Sequence, residues 1–167
     1  MLDSRIIARY FLSKDKNHNL FNKVLISKNG RKFYEGNARL NKYLHLSQNV
    51  YIAMTGNALI DSSFYAYDNG AVLPEIQENY SILISSNYCD EFDEISSDIK
   101  SFLNKMYIAL KNATLDELIE LSHEDIEWKS KKSFYDKQSQ KMDSLKNKEI
   151  YKEQYQDFID VLNRIMV

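Results

Sequence analysis

The chain has 167 residues and a mass of 19.7 kDa, enough for one domain with a small appended element. Hydrophobic residues make up 44% and charged residues 28%, with 22 Lys+Arg against 24 Asp+Glu, which excludes a disordered acidic or basic chain and any global electrostatic pull on nucleic acid. One cysteine, Cys89, excludes an internal disulfide and a multi-cysteine zinc site, and four Gly with one Pro are too few for a turn-dense β-sandwich.

Charges at Asp3, Arg5 and Arg9 interrupt the N-terminal apolar stretch, so it lacks the core of a signal peptide. No run approaches the ~20 apolar residues of a membrane span, and a cytoplasmic protein is expected. Ile6, Ile7, Tyr10 and Phe11 have the spacing of a one-sided helix over 3–14, with Asp3 or Ser4 as its cap. Lys28-Asn29-Gly30 between two short apolar runs predicts a hairpin of 23–27 and 31–35, because a tight hairpin turn needs residues that accept positive φ. A long helix is expected from Asn37 or Ala38 to about Thr55. Leu40, Tyr43, Leu44, Ser47, Val50, Tyr51 and Met54 would line its one buried face, and Gly56 would stop it. Residues 59–68 read as a short strand, and Asn69-Gly70 as a turn. Pro74 and Glu75 suit the first turn of a helix over 74–84.

Asp90, Glu91, Asp93, Glu94 and Asp98 mark an acidic link, followed by a helix at 96–111. Thr114 and Glu117 have the spacing of a capping box and start a short helix to Ser122. Seven lysines between 129 and 148 read as a solvated helix face, with contact to nucleic acid as the competing reading. Tyr151, Tyr155, Phe158, Ile159, Leu162 and Ile165 form the apolar stripe of a last amphipathic helix.

No catalytic constellation emerges. His123-Glu124 begins like a zincin motif, but the second histidine is missing, since position 127 is Glu, and His18 and His45 lie far off. Cys89 sits among acids that disfavour its thiolate. No Gly-rich phosphate loop exists. No cofactor and no metal are therefore expected, and the protein is read as a non-enzyme. The twelve tyrosines fit a protein that buries aromatic surface and contacts another protein.

Three motifs in order carry a resemblance. The first is Leu40-Asn-Lys-Tyr-Leu-His-Leu-Ser-Gln48. The second is Tyr65-Ala-Tyr-Asp-Asn-Gly-Ala-Val-Leu-Pro-Glu-Ile76. The third is Leu118-Ile-Glu-Leu-Ser-His-Glu-Asp-Ile-Glu-Trp128. Together they resemble the Panacea domain of the SocA-like, phage-associated antitoxins, over about residues 3–132. Ala71 stands where the family's turn has Pro, and the segment 17–36 is longer than in many members.

The elements read along the chain and the resemblance together give a mainly α (α+β) fold, a compact helical domain with a small antiparallel β element from 23–35 and 61–68. The resemblance implies a Panacea-like domain at 1–132 with a hairpin insertion at about 17–36. The tail at 133–167 lies outside the shared pattern, and its apolar stripe predicts a helical extension packing on the same domain. The resemblance also implies an antitoxin that neutralises a toxin by direct contact, the toxin being encoded in the adjacent gene, with a cytosolic protease as a further partner if the protein acts as an adaptor. Asn29, Tyr65, Tyr67, Asp68 and Asn69 are the expected partner-binding residues. Gln48, Gly70, Pro74, His123, Glu124 and Trp128 are motif residues with an expected structural role. The alternatives are a nucleic-acid-binding regulator using 129–148 and a hydrolase using His123 and Glu124.

Overall fold

The computed structural model describes residues 1–17, 19–21, 24–26, 28–30, 32–85, 92–132 and 140–166. Cys89, His18 and the Asp90/Glu91 pair lie outside the described residues. In chain order the elements are α1 (Ser4–Lys14), β1 (Val24–Ile26), β2 (Lys32–Tyr34), α2 (Glu35–Thr55), β3 (Tyr65–Tyr67), β4 (Gly70–Val72), α3 (Pro74–Glu78), α4 (Tyr80–Ser85), α5 (Ser97–Leu110), α6 (Leu115–His123), α7 (Ile126–Lys131), β5 (Gln140–Lys141), a 3-10 turn (Ser144–Asn147), α8 (Lys148–Gln154) and α9 (Gln156–Arg164). The fold is mainly α with a small β element.

Helix α2 is the axis of the molecule. It packs against α1, α3, α5, α6, α8 and β4. The expected single buried face is therefore corrected: Leu40, Tyr43, Leu44 and Val50 are buried, but so are Arg39, Asn41, Lys42, His45, Gln48 and Asn49, while Met54 is exposed. A helix covered on all sides leaves its polar side chains no water, so each needs a partner inside the protein. Around Tyr43 the rings of Phe11 and Phe21 stand edge-on at 5.6 and 5.3 Å.

Local chemistry explains the ends of the elements. Asp3 caps α1 by accepting from the Arg5 amide at 2.9 Å. Buried Asp15 then accepts from the amides of Asn19, Leu20 and Phe21 at 3.1, 3.0 and 3.0 Å, turning the chain without a helix or a ladder. Gly36 sits where the Tyr80 hydroxyl donates to the Phe21 carbonyl, and a Cβ there would come within 1.9 Å of that oxygen. Thr114 and Glu117 complete their capping box on α6.

The strands form two sheets, not one β element from 23–35 and 61–68. β1 and β2 pair alone, whereas β3 lies between β4 and β5, all antiparallel. The strand expected at 59–68 shortens to Tyr65–Tyr67, because Leu59 and Ile60 give their amides to the Gln48 side chain. The 74–84 helix is interrupted at Asn79, whose side chain donates back to the Glu75 carbonyl at 2.8 Å. The solvated helix face expected over 129–148 is not one helix. α7 ends at Lys131, and buried Met142 gives its amide to the Phe64 carbonyl at 2.8 Å beside β5. The last helix breaks at Tyr155, giving α8 and α9, with Tyr151, Tyr155 and Leu162 in the core.

Candidate partner-binding site

Strands β3 and β4 pair Tyr67 with Gly70, which leaves Asp68 and Asn69 as a two-residue loop. Both are exposed. Period-two alternation buries Ala66 and puts Tyr65 and Tyr67 on one half-buried face. Gly70 has φ +117°, and a Cβ there would lie 2.4 Å from the Ser122 hydroxyl oxygen, so glycine is needed on both counts.

Residues of α6 and α7 hold this loop in place. The His123 ring meets the Asp68 carbonyl through Nε2 at 3.1 Å; an acceptor-only carbonyl assigns the proton to Nε2. The same ring stacks on Trp128, with centroids 4.2 Å apart and planes 11° from parallel. Trp128 Nε1 donates to the Tyr67 carbonyl at 2.8 Å. Lys132 pairs with the Asp68 carboxylate at 2.5 Å and holds it below the usual carboxylate range. Partial burial, opposed by the bond to Asp68, holds His123 below the ordinary histidine value.

Beneath the loop lies a polar network that the sequence did not announce. Ser122 Oγ accepts from the Ala71 amide at 3.3 Å and meets His45 Nδ1 at 2.8 Å. His45 Nε2 lies 2.6 Å from Asp125 Oδ2, which also accepts from Asn49 at 2.9 Å. Asp125 Oδ1 accepts from Tyr151 at 2.6 Å and from the Glu127 amide at 2.9 Å. Asn49 donates in addition to the Tyr155 hydroxyl at 3.0 Å. Burial opposes ionisation of Asp125, but the hydrogen bond and electrostatic attraction of His45, with the hydrogen bonds of Tyr151 and Asn49, prevail and keep its carboxyl below the usual range. Burial pushes the Tyr151 and Tyr155 hydroxyls up, so both stay protonated.

Ser122, His45 and Asp125 share the residue types of a hydrolytic triad. All three are fully buried, and the Ser122 oxygen also accepts from the Ala71 amide, so in this structure the trio bonds to the protein's own backbone and side chains. The network ties β4, α2, α6, α7 and α8 together. Nearby, buried Glu127 takes Asn147 at 3.2 Å, Lys146 at 3.2 Å and the Asp143 amide.

The other sequence candidates fall in several places. Gln48 is buried and receives the Leu59 and Ile60 amides at 2.8 and 2.9 Å. Pro74 opens α3. Glu124 is exposed and its backbone carbonyl accepts from Gln154 at 2.9 Å, so it is not drawn into the His123 contact. Asn29 is exposed on the turn of the separate β1–β2 sheet, whereas Tyr65, Tyr67, Asp68 and Asn69 share the other. Among the described residues, no group of three or more His, Cys, Asp and Glu is placed to hold a metal ion. No described helix is long and apolar enough to cross a membrane.

The family model described as "Antitoxin SocA-like, Panacea domain" matches residues 40–129, just over half of the chain. That span runs from α2 through the loop to Trp128 and its neighbour. Comparison with curated proteins and with solved structures gave no match.

Proposed function

Because the chain belongs to the SocA-like antitoxin, Panacea-domain family, we propose that it neutralises a partner toxin by direct contact through the Asp68-Asn69 loop. Family membership gives the antitoxin role in general. The observation that carries the finer reading is the clamp: an exposed loop whose two backbone carbonyls, at Tyr67 and Asp68, are fixed by Trp128 and His123. A loop held rigid presents its side chains at low entropic cost, which suits recognition. Tyr65 and Tyr67 flank it with half-buried rings that suit interface anchors. Asn29, on the other sheet, would be a second contact. The toxin would come from the adjacent gene, and delivery to a cytosolic protease would be a later step in the cytoplasm. Residues 1–132, with the 17–36 hairpin inserted, would form the domain, and 133–167 would pack on it through Tyr151 and Tyr155.

Nucleic-acid binding by 129–148 draws less support. Lys132 and Lys146 are engaged by Asp68 and Glu127, and the Glu127 carboxylate is buried.

The test is co-expression of the adjacent gene product with wild type, Asp68→Lys, Asn69→Lys and Asn29→Asp, each checked for an unchanged melting temperature. Loss of protection in the loop variants is expected. Full protection by all of them removes this surface, and failure of wild type to bind or protect removes the antitoxin reading. A toxin half-life unchanged by the antitoxin would remove the protease step alone.

A further inference from the structure

A pocket of about 340 Å3 opens between the first half of α2 and the β3–β4 loop. Asp68, Asn69 and Gln77 line it and are exposed, whereas Lys42, which also lines it, is 1% exposed. The lysine therefore stands at the base and the other three nearer the mouth.

An ammonium carries three donors. Among the described residues Lys42 Nζ makes one hydrogen bond, a long one of 3.4 Å to the Ala71 carbonyl, and has no carboxylate within 4.0 Å. The carboxylate that shares the pocket, Asp68, is held by Lys132 at 2.5 Å. A buried cation without a counter-ion is unfavourable, and an entering anion relieves it.

We propose that this pocket is a carboxylate socket that receives an aspartate or glutamate side chain of a protein partner, with Lys42 as the charge at its base and the Asn69 and Gln77 amides as neutral donors at its mouth. A single point charge beside Asp68 suits a monoanion; a dianionic phosphate would meet stronger repulsion from Asp68, without the planar fork of an arginine to hold it. The exposed loop forms the mouth, so a side chain projecting from a bound protein enters without rearrangement of the backbone. Burial holds the amine down to about 8, and an entering carboxylate would restore its affinity for the proton. Only the source of the carboxylate rests on the toxin-binding reading; the socket itself rests on the pocket.

The test titrates the 15N-labelled full chain with N-acetylglutamate methylamide and, in parallel, with N-acetylglutamine methylamide. Saturable shifts at Lys42, Asn69 and Gln77 are expected with the glutamate probe. The glutamine probe should bind about tenfold more weakly, the difference that one charge-assisted hydrogen bond makes. Lys42→Met should abolish the difference between the probes. The exposed variants Asn69→Asp and Gln77→Glu, which leave the interior intact, should weaken the glutamate probe severalfold. Equal response to both probes, no saturable shift, or unchanged binding by the Asn69 and Gln77 variants overturns the socket. Co-expression with the adjacent toxin then separates the sources. Weaker protection by Gln77→Glu assigns the carboxylate to the toxin, and full protection beside saturable probe binding overturns that assignment. Should wild type protect against nothing, the antitoxin reading and the toxin as source fail together, while the probe titration still decides the socket.

Discussion

Trp128 Nε1 donates to the Tyr67 carbonyl at 2.8 Å, fastening α7 to the last residue of β3 across 61 positions of sequence. His123 lies between, stacked on the indole and bonded to the next carbonyl, that of Asp68. The third sequence motif thus acts on the second: its two rings set the path of the loop that the second motif builds. Loop and clamp both depend on Asp125, which caps α7 and so sets the direction in which Trp128 projects.

Removing the Trp128 contact in two steps separates bond from packing. Trp128→Phe keeps an aromatic ring beside His123 and should cost about 1 kcal/mol for the lost hydrogen bond. Trp128→Ala also removes a partly buried ring and should cost about 3 kcal/mol. Urea unfolding measures both. If the loop is the toxin contact, Trp128→Ala should weaken binding more than its stability loss alone explains, at a temperature where the variant is fully folded.

Gly70→Ala places a methyl group 2.4 Å from the Ser122 oxygen in a backbone conformation that L-residues avoid. A loss of roughly 2–4 kcal/mol is expected, the sum of backbone strain and overpacking. Ser122→Ala removes the clashing oxygen but leaves the Ala71 amide and His45 Nδ1 short of a partner. The double variant should therefore be more stable than the two single losses added together. Strict additivity in the denaturation cycle would remove the direct contact from the argument.

Much of the helical fold is legible in the chain because caps are local chemistry: Asp3 and the Thr114–Glu117 box mark helix starts where the structure has them. Asn29-Gly30 marks the β1–β2 hairpin for the same reason, whereas Asn69-Gly70 reads only as a turn: the loop is Asp68-Asn69, and Gly70 opens β4, a strand that no local signal announced. The buried network was not legible. His45, Asn49 and Asp125 look like solvated polar residues until α2 is seen to be covered on every side. One signal was present: Asn41, Lys42, His45, Gln48 and Asn49 recur at helical spacing within a stretch that is otherwise apolar, where an exposed face would carry more charge. The Ser144–Asn147 turn and β5 gave no periodic signal, since buried Met142 and Glu127 hold them through non-local bonds.

Asp125 should govern acid stability. Its folded carboxyl lies below the ordinary value of 3.8, so the unfolded chain binds more protons as the pH drops. Its contribution is fully present above about 3.8 and is lost as pH falls through the depressed folded value. Asp125→Asn keeps the shape but turns an amide NH2 toward donors that need an acceptor, either His45 and Asn49 or Tyr151 and the Glu127 amide. It should cost about 3–5 kcal/mol at pH 7. The gap between wild type and variant should narrow below pH 3.8 in acid denaturation. A gap independent of pH would show that the carboxylate's charge does not contribute.

Lys42 should act in the opposite pH range. Burial lowers its folded value from 10.5 to about 8, so between these limits the unfolded chain holds a proton that the folded chain has released. Stability from this group therefore rises with pH from about 8 to 10.5 and is lowest, and constant, below that window. The neighbouring titrations run otherwise. His123 is held below its ordinary value of 6.5 and is neutral throughout, and Asp68, held low by Lys132, stays ionised. Burial pushes Tyr43 up to about 12, which removes stability only as unfolded tyrosine ionises near 10. Comparison with Lys42→Met cancels these shared effects. Wild type should gain on the order of 3 kcal/mol relative to the variant between pH 8 and 10.5, the equivalent of the lysine's displacement. At pH 7 the ammonium is charged, buried and short of partners, so Lys42→Met should be at least as stable as wild type in urea. A variant much less stable at pH 7, with no change in the gap up to pH 10.5, would show that Lys42 has a partner and an ordinary affinity for its proton.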